Sequence, residues 1–448
     1  MIKQPPLTKA LILLLCLFSS TLLLAQTPKG NHAFSVKQAV EYASKNNVQV
    51  KNALLNIQVQ EQTNRGITAA AYPSLNANIG VTNNINVPTQ VVPGDFFGAP
   101  GQLVPVQFGV KYSSNALIQL QQLLFDGQVF VGLQARKASM EFAQKNVEVT
   151  EEAIKVNIYK IYYQLVVSKT QIDLLDANIV RFEKLKHDVT ELYKNGFAEK
   201  LDIDKVEVTL INLKTEKQKA LNSIETGYVG LKTLMGMPIA DTLTLTDQVT
   251  DAEIKTNALM DSVSYTDRKD YQYLQTVKQL NEFNIKRYQL SALPTIALSG
   301  VWGKQAYRRK FTFFEKGDWY NITNIGVNVS IPIFSGFNRD AKIKQSKVEL
   351  QQTENTIDNL KLNIDSEVET ARLKFKSAVE TMDFQKKNIV LAETVYNQTK
   401  KKFEIGTGSN TEINTAQTEL KTAQTNYIAA LYDAVIAKVD YLKAVGKL

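Results

Sequence analysis

Cysteine is all but absent: the chain of 448 residues has one, Cys16. It lies in a leader-like stretch with Lys3 and Lys9 at its start, an apolar run from Leu11 to Leu24, and Leu23-Leu24-Ala25 before Gln26. These features predict a secretory signal over residues 1–25. Ser19, Ser20 and Thr21 interrupt the apolar run, against a membrane anchor. Leu15, rather than a small residue, precedes Cys16, against lipid attachment. With the signal removed no thiol remains, which excludes disulfides and thiolate metal sites.

Histidine is nearly as scarce. The two, His32 and His187, lie far apart, and His187 sits between Lys186 and Asp188 on a helical pattern. There is no P-loop, no G-x-S-x-G and no H-E-x-x-H, and no carboxylates form a recognisable acid/base pair. No cofactor, metal site or enzymatic activity is expected. The excess of 52 Lys and Arg over 44 Asp and Glu is mild and spread as alternating charge, the pattern of solvated helix faces. No nucleic-acid partner is expected. No stretch after residue 25 is long and apolar enough for a membrane helix, which leaves a soluble fold or a β-barrel for an exported chain.

What the chain does have is a second copy of itself. Leu192-Tyr193-Lys194-Asn195-Gly196 recurs as Lys402-Phe403-Glu404-Ile405-Gly406, 210 residues on. From Ile154 through Ile158, Ile161, Leu165, Ser168, Ile172, Leu175, Ile179, Phe182, Lys186, Val189 and Tyr193, alternate steps of four and three give ten apolar positions of twelve. Adding 210 gives Ile364, Val368, Ala371, Phe375, Ala378, Met382, Gln385, Ile389, Ala392, Tyr396, Thr399 and Phe403, again mostly apolar. The return segments match too, with Val206, Leu210, Leu213 and Leu231 answered by Ala416, Leu420, Ala423 and Tyr441. Because 210 is a whole number of heptads, both copies share one coiled-coil register. Residues 127–194 contain no proline and no glycine between Gly132 and the end, so a helix there would run on the order of 100 Å.

Ahead of each rod the period changes to two. Leu75, Ala77, Ile79, Val81, Ile85 and Val87 alternate with mostly polar residues, as do Val104, Val106, Phe108, Val110, Tyr112, Ala116, Ile118 and Leu120. The second copy has Ile296, Leu298 and Trp302, then Ile325, Val327, Val329, Ile331 and Ile333. These are strands with one apolar and one polar face. Pro73 and Pro294 separate a preceding helix from its strand.

The expected organisation is a first repeat over 26–236, with strand pair 74–124 and helical hairpin 127–236. An inter-repeat segment over 237–265 follows. The second repeat covers 266–448, with strand pair 295–334 and hairpin 336–446. Four strands cannot close a barrel, and open edges are not tolerated in hydrocarbon, so lipid-facing strands would have to be pooled among chains.

The order helix, Tyr72-Pro73-Ser74-Leu75, strand pair, Leu124-Phe125-Asp126-Gly127, rod, glycine turn and return rod resembles the TolC-like outer-membrane efflux family. So do Ile331-Pro332-Ile333-Phe334-Ser335-Gly336 and Phe403-Glu404-Ile405-Gly406 before Thr411-Glu412-Ile413. The resemblance covers residues 34–446. It implies an α+β membrane protein: a homotrimer whose four strands per chain make a twelve-stranded β-barrel in outer-membrane lipid, with long antiparallel coiled-coil helices forming an α-barrel in the periplasm. It also implies a passive exit duct for efflux or type I export, partnered by a periplasmic adaptor and an inner-membrane pump. Residues 237–265 would join a belt around the tunnel.

On that reading function sits at the helical turns. Gly196, Phe197, Gly406 and Thr407 would form the tips and meet the adaptor. Asp202, Asp204 and Glu412 would form acidic rings at the periplasmic entrance, near Glu199 and Glu404, and favour cations. The same acids would equally serve helix N-termini through the dipole. The latch arginine and tyrosine found in some family members are replaced by Gly408 and Phe403. The competing reading is a periplasmic or surface coiled-coil scaffold without a pore.

Overall fold

The computed structural model describes residues 30–256, 264–315 and 317–448. The expected signal segment, with Cys16, lies outside the described residues, as do positions 257–263 of the inter-repeat segment. The elements run β1 (Asn31–Phe34), α1 (Val36–Asn46), α2 (Val48–Ala69), β2 (Ser74–Asn83), β3 (Thr89–Pro93), β4 (Leu103–Gln107), β5 (Tyr112–Phe125), α3 (Gly127–Lys194) and α4 (Lys200–Met235). They continue with β6 (Thr242–Leu245), α5 (Asp251–Lys255), α6 (Lys269–Leu290), β7 (Thr295–Arg308), β8 (Tyr320–Ser330), α7 (Asn338–Glu404) and α8 (Asn410–Ala444).

The duplication is visible in the element ends. Rods α3 and α7 have 68 and 67 residues, and α2 and α6 have 22 each. The glycines that follow the long helices repeat as well, all in the left-handed region: Gly196 and Gly406 at φ 81° and 77°, Gly236 and Gly446 at 68° and 70°. That region penalises a Cβ, so glycine ends a helix there.

The chain forms two compact units, and each draws on both repeats. The first comprises the described residues up to Ala53, Val147–Lys269 and Lys361–Leu448. Its core follows the seam read from the sequence. Ile154, Ile158, Leu165, Leu231 and Met235 pack with Val36, Ala39 and Ala43 of α1. Ala371, Phe375 and Met382 of α7 pack with Ala430, Ala434, Ala437 and Tyr441 of α8. The alanines permit this close approach. A parallel pair, β1 with β6, lies outside what the alternating pattern foresaw, because four residues are too few to show a period. Asp247 accepts a hydrogen bond from Val36 N–H at 2.8 Å, and Tyr162 OH donates to Phe34 O at 2.9 Å, fixing this pair to the rod. The short α5 is clamped on the second hairpin by Lys255 to Asp383 at 2.6 Å, Tyr427 OH to Asp251 at 2.9 Å, and Lys386 to Asp251.

The second unit comprises Leu54–Asn146 and Asp270–Leu360. Its centre is a four-stranded antiparallel sheet in the order β2-β5-β7-β8. The register places Leu75, Ala77 and Ile79 level with Leu120, Ile118 and Ala116. Those stand level with Gly300, Trp302 and Lys304. Ile296 and Leu298 face Val329 and Val327. One face is therefore apolar, and it is open: Ile79 is 82% exposed and Trp302 62%. The other face carries amides and hydroxyls, with Asn78 donating to Gln119 at 3.0 Å and Asn328 to Ser299 at 3.0 Å.

The strand expected through 104–120 is broken. Gly109, at φ 139°, turns the backbone where no L side chain sits comfortably. The residues before it form β4, which pairs with β3 as a separate hairpin. Ile85 and Val87 fall beyond β2, and Ile331 and Ile333 beyond β8, where Pro332 has no N–H to continue a ladder. Beneath the sheet, Asn64 of α2 is held by Arg136 O at 3.1 Å and by Ser139 Oγ at 3.0 Å. Asn284 of α6 bonds Ser346 of α7 at 3.1 Å. Gly127 abuts α6 so tightly that a Cβ would lie 2.5 Å from Leu290 O.

Candidate functional site

The two hairpin turns fall within the first unit and have the same geometry. In the first, Phe197 N–H donates to Leu192 O at 2.9 Å and Gly196 N–H to Tyr193 O at 3.0 Å. In the second, Thr407 N–H donates to Lys402 O at 3.0 Å and Gly406 N–H to Phe403 O at 3.0 Å. These bonds satisfy the last carbonyls of α3 and α7 and reverse the chain in a few residues. At Gly408 a Cβ would lie 3.0 Å from Phe403 N, a tight contact to which the backbone would have to yield.

The return helices start differently. Ser409 Oγ accepts from Glu412 N–H at 3.2 Å, capping α8. At α4 the carboxylate of Asp202 accepts Glu199 N–H at 3.3 Å and stands 3.9 Å from Lys205. Asp202 thus serves the helix terminus, while Asp204 and Glu412 are exposed. No hydrogen bond or ion pair among the described residues joins Asp202 or Asp204 to Glu412. Glu191 is held below its ordinary pKa by the hydrogen bond from Lys194 at 2.7 Å and by that ammonium's charge.

The turns also present an apolar crown. Phe197 is 80% exposed, and Leu201 and Ile405 are exposed beside the glycines. Leu201 and Ile405 fall outside the heptad seam, and the sequence points to them only as members of the exposed segments 194–202 and 404–412, not as individual contacts. An apolar side chain within a turn of glycine, lysine and acids was the available signal.

Between the hairpins, α3 and α4 meet α7 and α8 through Phe182, Leu185, Val189, Val206, Tyr396 and Ile413. Lys421 bridges to Glu216 across the hairpins at 2.9 Å, and Lys214 to Glu183 within the first at 2.9 Å. The inward seam of α8 is not uniformly apolar. Asn178 of α3 donates to Gln424 at 2.9 Å inside the packing. Closer to the turn, the buried oxygens of Asn410, Asn414 and Gln417 find no hydrogen-bond partner in the protein. Steps of four and three put these three amides on one stripe. An orphaned buried acceptor costs about 1–3 kcal/mol, so this end of the hairpin packs less favourably than the alanine-rich end.

A second stripe on α7 is apolar and open. Leu362, Leu373, Phe384 and Val395 recur every eleven residues and are all exposed. Eleven residues make three turns, so one straight helix face carries all four. His187 is exposed on α3. His32 stands 3.4 Å from Asp241 in the β1–β6 pair, far in sequence from the turns.

A family model described as outer membrane efflux protein matches residues 281–447. Outer membrane efflux protein BepC of Brucella suis is 22% identical over 446 residues, which covers 98% of this chain and 91% of the relative. Outer membrane protein TolC of Vibrio cholerae is 17% identical over 336 residues, 75% of this chain and 77% of the relative. The crystal structure of the outer membrane protein VceC from Vibrio cholerae superposes with a TM-score of 0.72 at 14% identity, covering 92% of this chain and 96% of that one.

Proposed function

We infer that this chain, a TolC-like outer-membrane efflux protein in its fold and in the sequence of its second half, is the exit duct of an efflux or export machine. It resides in the outer membrane with a large periplasmic part. One observation carries the reading: a four-stranded sheet with an open apolar face, a polar opposite face and two unpaired edges. Only Lys304 and Arg308 carry charge in its four strands. Lipid is the solvent for such an apolar face, and in lipid the edges must pair. Strand β8 runs antiparallel to the direction of β2, so β8 of one copy can join β2 of the next and keep the alternation. Three copies give twelve strands, with the polar faces lining the pore.

The exposed stripe Leu362, Leu373, Phe384 and Val395 supports the same assembly in the helical unit, where a neighbouring copy's helix would cover it. Residues 238–256, with β6 and α5, form part of the belt on the hairpins. Transport is passive: an inner-membrane pump drives the cargo, and a periplasmic adaptor docks on the tips through Gly196, Phe197, Gly406 and Thr407. Phe197, Leu201 and Ile405 supply its apolar contact. Asp204 and Glu412, tripled by the symmetry axis, favour cations at the entrance. Asp202 has its helix terminus to serve and adds less. The duct opens when the second hairpin parts from the first along the amide stripe of α8.

Electron cryo-microscopy of protein extracted in detergent from outer membranes tests the assembly. A threefold hollow particle with a short barrel is expected. A soluble monomer, or a solid rod recovered without detergent, would overturn the duct in favour of the scaffold.

A further inference from the structure

The open face of the sheet is not smooth. A groove of about 580 Å³ over β5 is lined by Ile79, Ala116, Ile118, Trp302, Lys304 and Trp319. Its floor is Ala116. The cross-strand row Ile79, Ala116, Lys304 passes through this alanine between larger neighbours, so the surface sinks there. Lys304 stands on the same face at the groove's rim.

Lys304 is the unusual residue. Of the two charges in the strands, Arg308 is already committed: it donates to the carbonyl and hydroxyl of Thr312 and lies 5.3 Å over the ring of Phe313. Lys304 is exposed and has no ion pair or hydrogen bond among the described residues. A lysine at the middle of a lipid face costs about 2–4 kcal/mol, falling to about 0–1 near the interface. Lys304 is nine residues past Thr295, where β7 leaves its helix. At roughly 3.3 Å per residue and a tilt of about 40°, that is about 23 Å along the membrane normal. An apolar band is about 25 Å tall, so the ammonium reaches head-group level.

We propose that the groove over Ala116 seats one anionic phosphorylated lipid of the surrounding leaflet, its phosphate on Lys304 and its acyl chain running from there over Ile118 and Trp302, the row nearer the middle of the sheet. This rests on the reading that the sheet spans the outer membrane. The seat survives assembly, because β5 lies between β2 and β7 and copies join at the outer edges β2 and β8. Charge complementarity selects the occupant: a cation at phosphate height beside an apolar groove satisfies an anionic head better than a zwitterionic one, whose own cation competes. Polar detergents and sterols lack the phosphate.

The test uses the protein's own fluorescence, because Trp302 and Trp319 are the only two tryptophans in the chain. The full-length protein in non-ionic detergent is titrated with brominated-chain phosphatidylglycerol and, separately, with brominated-chain phosphatidylcholine. Half-quenching is expected at a roughly fivefold lower mole fraction of the anionic lipid. Lys304→Gln should remove the preference, Lys304→Arg should keep it, and Ala116→Phe, which fills the floor, should also remove it. Equal quenching by both lipids, or a preference that persists in Lys304→Gln or Ala116→Phe, overturns the seat while leaving the barrel intact. No quenching by either lipid overturns the barrel reading as well.

Discussion

Replacing Gln417 by leucine separates a packing seam built to hold from one built to part. Gln417 is 4% exposed, lies between Ile413 and Leu420 of the inter-hairpin core, and its amide oxygen has no partner in the protein. That oxygen is already covered within one chain, so a neighbouring copy cannot satisfy it. The folded state carries a desolvation cost of about 1–3 kcal/mol at this atom. Leucine removes the orphan and adds apolar contact, as when buried polar groups are exchanged for well-packed hydrophobic ones. If the seam opens in the conducting state, the closed state gains about 1–2 kcal/mol per chain. Each 1.4 kcal/mol is a factor of ten in the equilibrium. Single-channel recording in planar bilayers should therefore show an open probability lower by roughly tenfold, or more if the copies open together. The melting temperature should rise in the same variant. A fall in melting temperature would mean the amide is satisfied in the folded protein. A raised melting temperature with unchanged open probability would mean the seam does not move. Either result refutes the reasoning.

Three further outcomes are expected. Glu412→Lys should reduce cation preference in bilayer reversal-potential measurements, Asp204→Lys should do the same, and Asp202→Lys should do less while lowering helix stability. Unchanged selectivity across all three would remove the acidic ring. Gly406→Ala, which forces a Cβ into φ 77°, should cost about 1–2 kcal/mol at the second turn and weaken adaptor binding in co-purification. The same change at the helical, uncrowded Gly230 should leave binding unaltered. Burial opposes ionisation of Asp251, but hydrogen bonds from Lys386 and Tyr427 and the charges of Lys386 and Lys255 outweigh it and depress its pKa. A depressed carboxyl stabilises the fold above its unfolded value, about 3.9, and loses that contribution as pH falls through the folded one. Asp251→Asn should thus melt earlier at pH 7, with the gap closing below about pH 4; a gap independent of pH would show that the clamp is not ionic.

The rods, their seam and their turns were legible because each rests on a local rule repeated many times. Ile154, Ile158, Leu165 and Phe182 all occupy the core that steps of three and four assigned them. Gly196 and Gly406 repeat one backbone conformation at one offset. The β1–β6 pair was not legible, because its pairing joins Asn31 to Thr242 across a full repeat length with four residues a side. The break at Gly109 was hidden for another reason: alternation continues in residue type through Val106, Phe108 and Val110 while the backbone turns.

The candidate site divides in the same way. Turn glycines announce themselves by type, but the work of an acid does not: Asp202 and Asp204 are the same residue two positions apart. In the fold Asp202 accepts the N–H of the N-cap residue Glu199, while Asp204 faces solvent. The amide stripe was within reach of the sequence, since Asn410, Asn414 and Gln417 stand at steps of four and three, one residue out of register with the seam of Ile413, Ala416 and Leu420. Polar residues at such positions weaken a seam and set its register. Their concentration next to the turn, with Ala430, Ala434 and Ala437 packed tightly further along, grades one helix from loose to firm. A hairpin graded in that sense can part at its tip while its base stays closed.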